Sequence, residues 1–280
     1  MESQIKNVEG DLTDKVCVVT GGGSGIGRAL AHRFAAAGMR VAIGDIEAAA
    51  IDATVAELGG DGERVLGVRC DVRRIESVRR LRDETLRRFG SLHLVCLNAG
   101  VAPVSPMLET SLDVWNWVLE VNLGGVINGV HTFGPPLVEQ HAGHIVLTAS
   151  AAGVCDTPTM GPYGASKHAV VGIAAALRTE LAGSGVGVSV LCPGLINTRI
   201  FESERNRPDS MEDPSIHNAR LKEYRDLLAA RGAPPEQVAE VVHRAVLDNQ
   251  FFVFPTADFD GMIELRIEEM RRGFAWRDAR

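Results

Sequence analysis

The sequence predicts a doubly wound α/β fold, a parallel sheet of about seven strands with helices on both faces, built as a single domain over residues 1–280. Three observations predict it. Short apolar, β-branched runs alternate with longer amphipathic stretches, the pattern of βαβ units. The runs are apolar throughout rather than at every second position, as suits strands covered on both sides. The first run also ends in a glycine-rich turn that leads straight into a helix, where folds of this class take a ligand.

Strands are expected over Val16 to Thr20, Val41 to Asp45, Val65 to Cys70, Leu92 to Leu97, His144 to Thr148 and Val186 to Cys192, with a seventh near Phe251 to Phe254. A helix is expected over Arg28 to Ala37. Another, over Arg73 to Arg88, places Ile75, Val78, Leu81 and Leu86 on a buried stripe beneath an arginine-rich solvated face. Residues 199–234 lie between the sixth strand and a helix starting near Pro235. Connections of that length are often lids, and this one is expected to close over a substrate. A helical extension over 258–273 mixes Glu264, Arg266, Glu268, Glu269, Arg271 and Arg272 with Ile263, Leu265, Ile267 and Met270. That composition suits a subunit or core contact better than a membrane.

With 280 residues, 45% of them hydrophobic, the chain can bury one sizeable core, and no repeat or low-complexity linker marks a second domain. The net charge of -7 repels nucleic acid. Met1 to Lys15 has no apolar core of signal-peptide length and no apolar run is long enough to span a bilayer, so no membrane partner and a cytoplasmic location are expected. The five cysteines, Cys17, Cys70, Cys96, Cys155 and Cys192, are odd in number, contain no Cys-x-x-Cys pair and read as small buried hydrophobes in a reducing compartment. His131, His141 and His144 have no carboxylate or thiol to complete a metal site, and none is expected.

Chemistry enters at Thr20-Gly21-Gly22-Gly23-Ser24-Gly25-Ile26-Gly27. Glycines let the backbone turn sharply and approach a pyrophosphate, to which free N–H groups and the positive end of the helix dipole are attracted. The spacing is neither G-x-G-x-x-G nor a Walker sequence, so an ATP loop is disfavoured. Asp45 ends the second strand. There it either accepts the adenosine ribose hydroxyls, repelling a 2′-phosphate and favouring NAD over NADP, or caps the next helix. Asp71 and Val72 either flank the adenine or lead into the arginine-rich helix, with Asp71 as its cap.

Tyr163 and Lys167 are four apart at the start of a helical segment and so share a face. With two tyrosines and four lysines in the chain, a chance pairing at this spacing is rare, although packing and solubility alone can place such residues. A nearby cation lowers a phenol from its usual value near 10 toward the working pH. Tyr163 is then a general base toward an alcohol and a general acid toward a carbonyl, with hydride passing to or from a nicotinamide and Ser150 holding the same oxygen.

In this order, the glycine turn, Asn98-Ala99-Gly100, Ser150, Tyr163-x-x-x-Lys167 and Pro193-Gly194 resemble the short-chain dehydrogenase/reductase family over about Asp14 to Phe254. The resemblance implies a Rossmann-type sheet ordered 3-2-1-4-5-6-7, with Asn98, Ala99 and Gly100 beside the cofactor. It adds Asn122 to a catalytic tetrad, where it helps hold a water that relays protons to Lys167. Lys167 also binds the nicotinamide ribose, and Pro193, Gly194, Ile196 and Thr198 belong to the segment that contacts the carboxamide. A homodimer or homotetramer is implied in the same way. The chain departs from the family pattern at Leu97 and Leu147, where asparagines are common; altered packing near the cofactor with activity kept is expected. The substrate expected is an apolar secondary alcohol or ketone lined by Val154, Thr157, Pro158 and Met160, unless Arg199, Arg205 and Arg207 receive an acidic tail. The alternatives are an NAD(H)-sensing protein without turnover and an NADP(H)-dependent carbonyl reductase.

Overall fold

The computed structural model describes residues 11–60, 63–208, 211 and 218–279. The stretch before residue 11 and, within the expected lid, residues 209–210 and 212–217 lie outside them. Seven strands form one sheet: β1 (Val16–Thr20), β2 (Arg40–Asp45), β3 (Val65–Arg69), β4 (Leu94–Leu97), β5 (Gly143–Thr148), β6 (Val186–Leu191) and β7 (Phe252–Val253). The order is β3-β2-β1-β4-β5-β6-β7 and every pairing is parallel, as the family likeness implies.

Nine α-helices connect and flank the strands among the described residues: α1 (Gly25–Ala36), α2 (Ala48–Glu57), α3 (Ile75–Phe89), α4 (Leu112–Leu119), α5 (Gly125–Glu139), α6 (Gly161–Glu180), α7 (Asn218–Arg231), α8 (Pro235–Leu247) and α9 (Asp260–Asp278). The alternation of strand side chains divides the core between the two faces. Val16, Val18, Val95, Leu97, Ile145 and Leu147 meet α3, α5 and α6 through Leu81, Phe133 and Val170. Cys17, Val19, Val41, Ile43, Leu94 and Cys96 meet α1 and α8 through Leu30, Phe34 and Val242. This two-sided burial is the physical reason the strands read as unbroken apolar runs. A third, smaller cluster joins α4 to the segment between β6 and α8 through Trp117, Val118, Phe201, Leu221 and Leu228.

The two departures from the family pattern are core residues. Leu97 packs so closely on α5 that a Cβ on Gly129 would stand 2.3 Å from its Cδ2, so the larger side chain is matched by a glycine across the interface. Leu147 is fully buried in the same layer. α3 ends where Gly90 takes a left-handed φ of 76° and returns its N–H to Leu86 O. α1 begins at Gly25, about one turn earlier than the sequence suggests, with Gly25 itself at a left-handed φ of 52° where the chain enters the helix.

His141 sits in the turn before β5, but His144 lies within the strand and is fully buried. Ser189 Oγ donates to Gln250 O at 2.6 Å, so His144 Nε2 must donate to Ser189 Oγ at 2.8 Å, leaving Nδ1 buried as a bare acceptor. Burial lowers the His144 pKa from 6.5 to about 3. The unfolded chain therefore takes up a proton that the folded chain refuses. The stabilisation is complete above pH 6.5 and is lost as pH falls toward 3, at about 1.4 kcal/mol per pH unit. Urea denaturation at pH 7 and pH 5 should show a loss of about 2 kcal/mol from this group. The loss should be absent from His144→Gln; an equal pH dependence in both proteins contradicts the assignment.

Candidate active site

The strand order reverses between β1 and β4, and the loops at the carboxyl ends of the strands open there into one continuous groove. Its first wall is the glycine turn. Gly21, at φ 67°, donates its N–H to Gly44 O at 2.7 Å, folding the end of β1 against β2. Gly27 is where α1 crosses this turn: a Cβ there would stand 2.1 Å from Gly21 O and 2.6 Å from Asn98 Nδ2. Asn98 braces the turn from β4, with Nδ2 donating to Thr20 O at 3.2 Å and its backbone N–H donating to Thr20 Oγ1 at 2.9 Å.

The N-terminus of α1 faces the groove through Ser24, Gly25 and Ile26. Ser24 makes no side-chain cap, and the first turn carries no acidic residue, so the amides at the positive end of the helix have no anionic neighbour there. A pyrophosphate fits this arrangement. Asp45 closes the far end, accepting the Gly23 N–H at 2.9 Å and the Glu47 N–H at 3.0 Å. It thus braces the turn and presents a carboxylate to the groove. Asp71 pairs with Arg73 at 2.7 Å and accepts its N–H while also lining the groove; the N-cap of α3 is Arg74, so Asp71 precedes the cap rather than forming it. Burial raises the Asp71 carboxyl, but the side-chain and backbone hydrogen bonds from Arg73, with the charges of Arg73 and Arg74, together hold it below its usual range. Val72 lines the groove too and packs on Gly125.

At the other end, Tyr163 occupies the first turn of α6 and Lys167 the next. Ser150 follows β5 in extended conformation and starts a short 3-10 turn, Ala151–Gly153, its Oγ accepting the Ala152 N–H at 3.1 Å. That turn lies directly on α6: a Cβ on Gly153 would stand 2.7 Å from Lys167 O. The contact fixes Ser150 relative to the tyrosine and lysine. Lys167 Nζ donates to Thr148 O at 2.8 Å and lies over the Tyr163 ring, 5.5 Å from its centre.

The direction of the tyrosine shift corrects the simple reading of the Tyr-Lys spacing. Burial raises the Tyr163 pKa above 10; the hydrogen bond with Ser150 opposes this, and Cys192 adds to it. Lys167 bonds to the end of β5 and stacks over the ring instead of meeting the phenol oxygen. Burial lowers Lys167 itself from 10.5 to about 8, so at neutral pH it is still mostly an ammonium ion.

Asn122 stands behind the wall, fully buried in a π-helical turn, Glu120–Gly124, between α4 and α5. Such turns within helices often mark functional sites. Its side chain is committed elsewhere: Oδ1 accepts the Val101 N–H at 2.8 Å, and Nδ2 donates to Val101 O at 3.0 Å and Ser166 Oγ at 3.1 Å. It ties the loop after β4 to α6 beside Lys167, with both Nδ2 hydrogens used and one Oδ1 lone pair still open.

Ala99, Gly100, Pro193, Gly194, Ile196 and Thr198 line the groove as well, whereas Gly23 and Gly27 shape it from behind. Val154 does not line it but packs into the core; Thr157, Pro158 and Met160 do line it. Arg199 pairs with Glu202, and Arg205 pairs with Glu47 at 2.9 Å. Both line the groove with an acidic partner beside them, whereas Arg207 does not line it. Asn206 Nδ2 also donates to Glu47, at 2.9 Å, so two residues of the segment after β6 clasp the loop after β2 across the groove. The sequence reading missed this clasp and the aromatic lining of the inner end, Trp117, Phe201, Tyr224 and Phe259. Among the described residues no three metal-ligating side chains gather, and no helix is long and apolar enough to cross a membrane.

Residues 15–209 match the family model described as short chain dehydrogenase. The chain is 34% identical to a C alpha-dehydrogenase of Sphingobium sp. over 88% of its own length and 81% of that protein's. It is 35% identical to a 1-deoxy-11-beta-hydroxypentalenate dehydrogenase of Streptomyces exfoliatus, over 88% and 85%. Among solved structures, a short chain dehydrogenase/reductase from Burkholderia phymatum in complex with NAD superposes with a TM-score of 0.90 at 36% identity, over 94% of this chain and 96% of that one.

Proposed function

The chain belongs to the short-chain dehydrogenase family, and from that premise we propose that it interconverts an apolar secondary alcohol and its ketone with NAD(H), using Tyr163 as general acid and base. The observation that carries the reading is the meeting of Ser150, Tyr163 and Lys167 at one end of a groove whose other end is the glycine turn. Bound NAD supplies the hydride acceptor for oxidation. In oxidation the Tyr163 phenolate takes the proton of the alcohol hydroxyl and becomes the neutral phenol, and the Ser150 hydroxyl orients the same oxygen. The Lys167 ammonium, anchored on Thr148 O, stabilises that phenolate before oxidation and after reduction. In reduction the proton returns from Tyr163 to the carbonyl oxygen. Asn122 positions this group from behind through Ser166 and the Val101 backbone.

The amides of Gly25 and Ile26 hold the pyrophosphate and the Asp45 carboxylate the adenosine ribose, with Asp71 and Val72 beside the adenine. Lys167 takes the nicotinamide ribose, and Ile196 and Thr198 the carboxamide. Trp117, Met160, Phe201, Tyr224 and Leu228 enclose the substrate, which supports an apolar one. The segment from Arg199 acts as the lid. Five unpaired, buried thiols support a reducing, cytoplasmic setting.

Cofactor choice gives a direct test. Asp45→Asn keeps an acceptor for the Gly23 N–H and removes the charge that repels a 2′-phosphate. NADPH affinity relative to NADH, read by fluorescence titration, is expected to rise about tenfold or more, roughly 1.4 kcal/mol. An unchanged ratio contradicts the role given to Asp45.

A further inference from the structure

α9 starts against the body of the protein and then leaves it. The turn before it is fastened by Asp258, whose Oδ2 accepts the Leu195 N–H at 3.0 Å, and its second turn by the Arg266–Asp156 pair at 2.6 Å. Along one side Ile263 is partly covered, after which exposure climbs through Ile267 (39%), Met270 (53%) and Phe274 (60%). No residue of α9 is buried, so the expected core contact is not made, and from Ile267 to Ala279 every described side chain is exposed. A single helix extending this far without packing is marginal in water, the more so when it exposes an apolar face.

The pattern on that face specifies a partner. Ile263, Ile267, Met270 and Phe274 follow spacings of four, three and four, the seam of a two-helix heptad pairing. Glu264 and Arg271 flank the seam on one side and Arg266 on the other. A parallel pair would set Arg266 against Arg271 of the partner subunit, a repulsive contact made twice. An antiparallel pair joins like flanks and sets Glu264 against Arg271 of the partner subunit, an attractive contact made twice. We propose that α9 is a dimerisation arm that pairs antiparallel with α9 of a second copy of this chain. Leu265 and Trp276, exposed on the opposite side, and Met262 beside the seam leave further apolar surface once the arms have paired.

The test is the mass of the full chain by sedimentation and light scattering over a dilution series, with NADH binding and melting temperature confirming that each variant is folded. The wild type is expected to be a dimer or a multiple of one. Met270→Glu with Phe274→Glu should lower the mass by one step, tetramer to dimer or dimer to monomer. Glu264→Arg and Arg271→Glu, each turning two attractive contacts repulsive, should each weaken the same step by about tenfold. Combining the two should restore it. A monomeric wild type, a step insensitive to Met270→Glu with Phe274→Glu, or a double charge exchange no stronger than the single ones overturns the proposal. The first of those outcomes leaves the enzymatic reading untouched.

Discussion

Tyr163→Phe is expected to lose at least about a thousandfold in turnover, the upper part of the range for general acid–base groups, with NADH affinity changed by less than about threefold. Phenylalanine keeps the ring on which Lys167 Nζ lies and the packing of the first turn of α6. What disappears is the hydroxyl, the one group at this end of the groove placed both to exchange a proton with substrate and to bond Ser150. Separating turnover from binding is the informative part. If affinity fell in parallel with turnover, Tyr163 would be a binding residue. If turnover survived within tenfold, the proton would have to travel through another group, and Ser150 would be the next to replace.

Gly27→Ala is expected to have the second largest effect, by a different route. Within a helix this exchange ordinarily stabilises by up to about 1 kcal/mol. Here the new Cβ would stand 2.1 Å from Gly21 O and 2.6 Å from Asn98 Nδ2, and the nearest of these is a backbone atom, which cannot swing aside. Either α1 moves away from β1 or the turn from Gly21 unfolds, and both spoil the alignment of amides that holds a pyrophosphate. Overpacking of this kind costs about 1–3 kcal/mol, and NADH affinity is expected to fall by about a hundredfold or more. Calorimetry of the variant with and without NADH checks both parts. An ordinary helix-like gain in melting temperature with affinity intact would show that the turn has slack the distances deny.

These two positions also show what was legible in the sequence and why. The glycine turn and the Tyr163/Lys167 pair are local: each is set by a few residues and by the geometry of a strand-to-helix turn or of one helical turn. The five inner strands were equally readable, because a parallel sheet covered on both faces leaves unbroken apolar runs such as Val16–Thr20 and Val186–Leu191. What stayed hidden depends on tertiary neighbours. Glu47 meets Arg205 and Asn206 across 158 and 159 positions of sequence, and none of the three is unusual in its own surroundings. The aromatic inner end of the groove draws Trp117, Phe201, Tyr224 and Phe259 from separate parts of the chain. The direction of the Tyr163 shift could not be read from spacing, since burial and the fastening of Lys167 to Thr148 O decide it. Asn122 sits at a readable motif, but the π turn that buries its amide against Val101 and Ser166 has no sequence period to announce it.

The proposed reaction is oxidation of an alcohol by NAD at this groove. Its most direct test is the appearance of reduced nicotinamide absorbance when the wild-type protein is given NAD and a panel of apolar secondary alcohols, with the ketone measured in parallel. Equal amounts of NADH and ketone, formed by the wild type and not by Tyr163→Phe, are the predicted result. Tight NADH binding with neither product formed from any member of the panel would contradict it and point to a protein that senses the cofactor without using it.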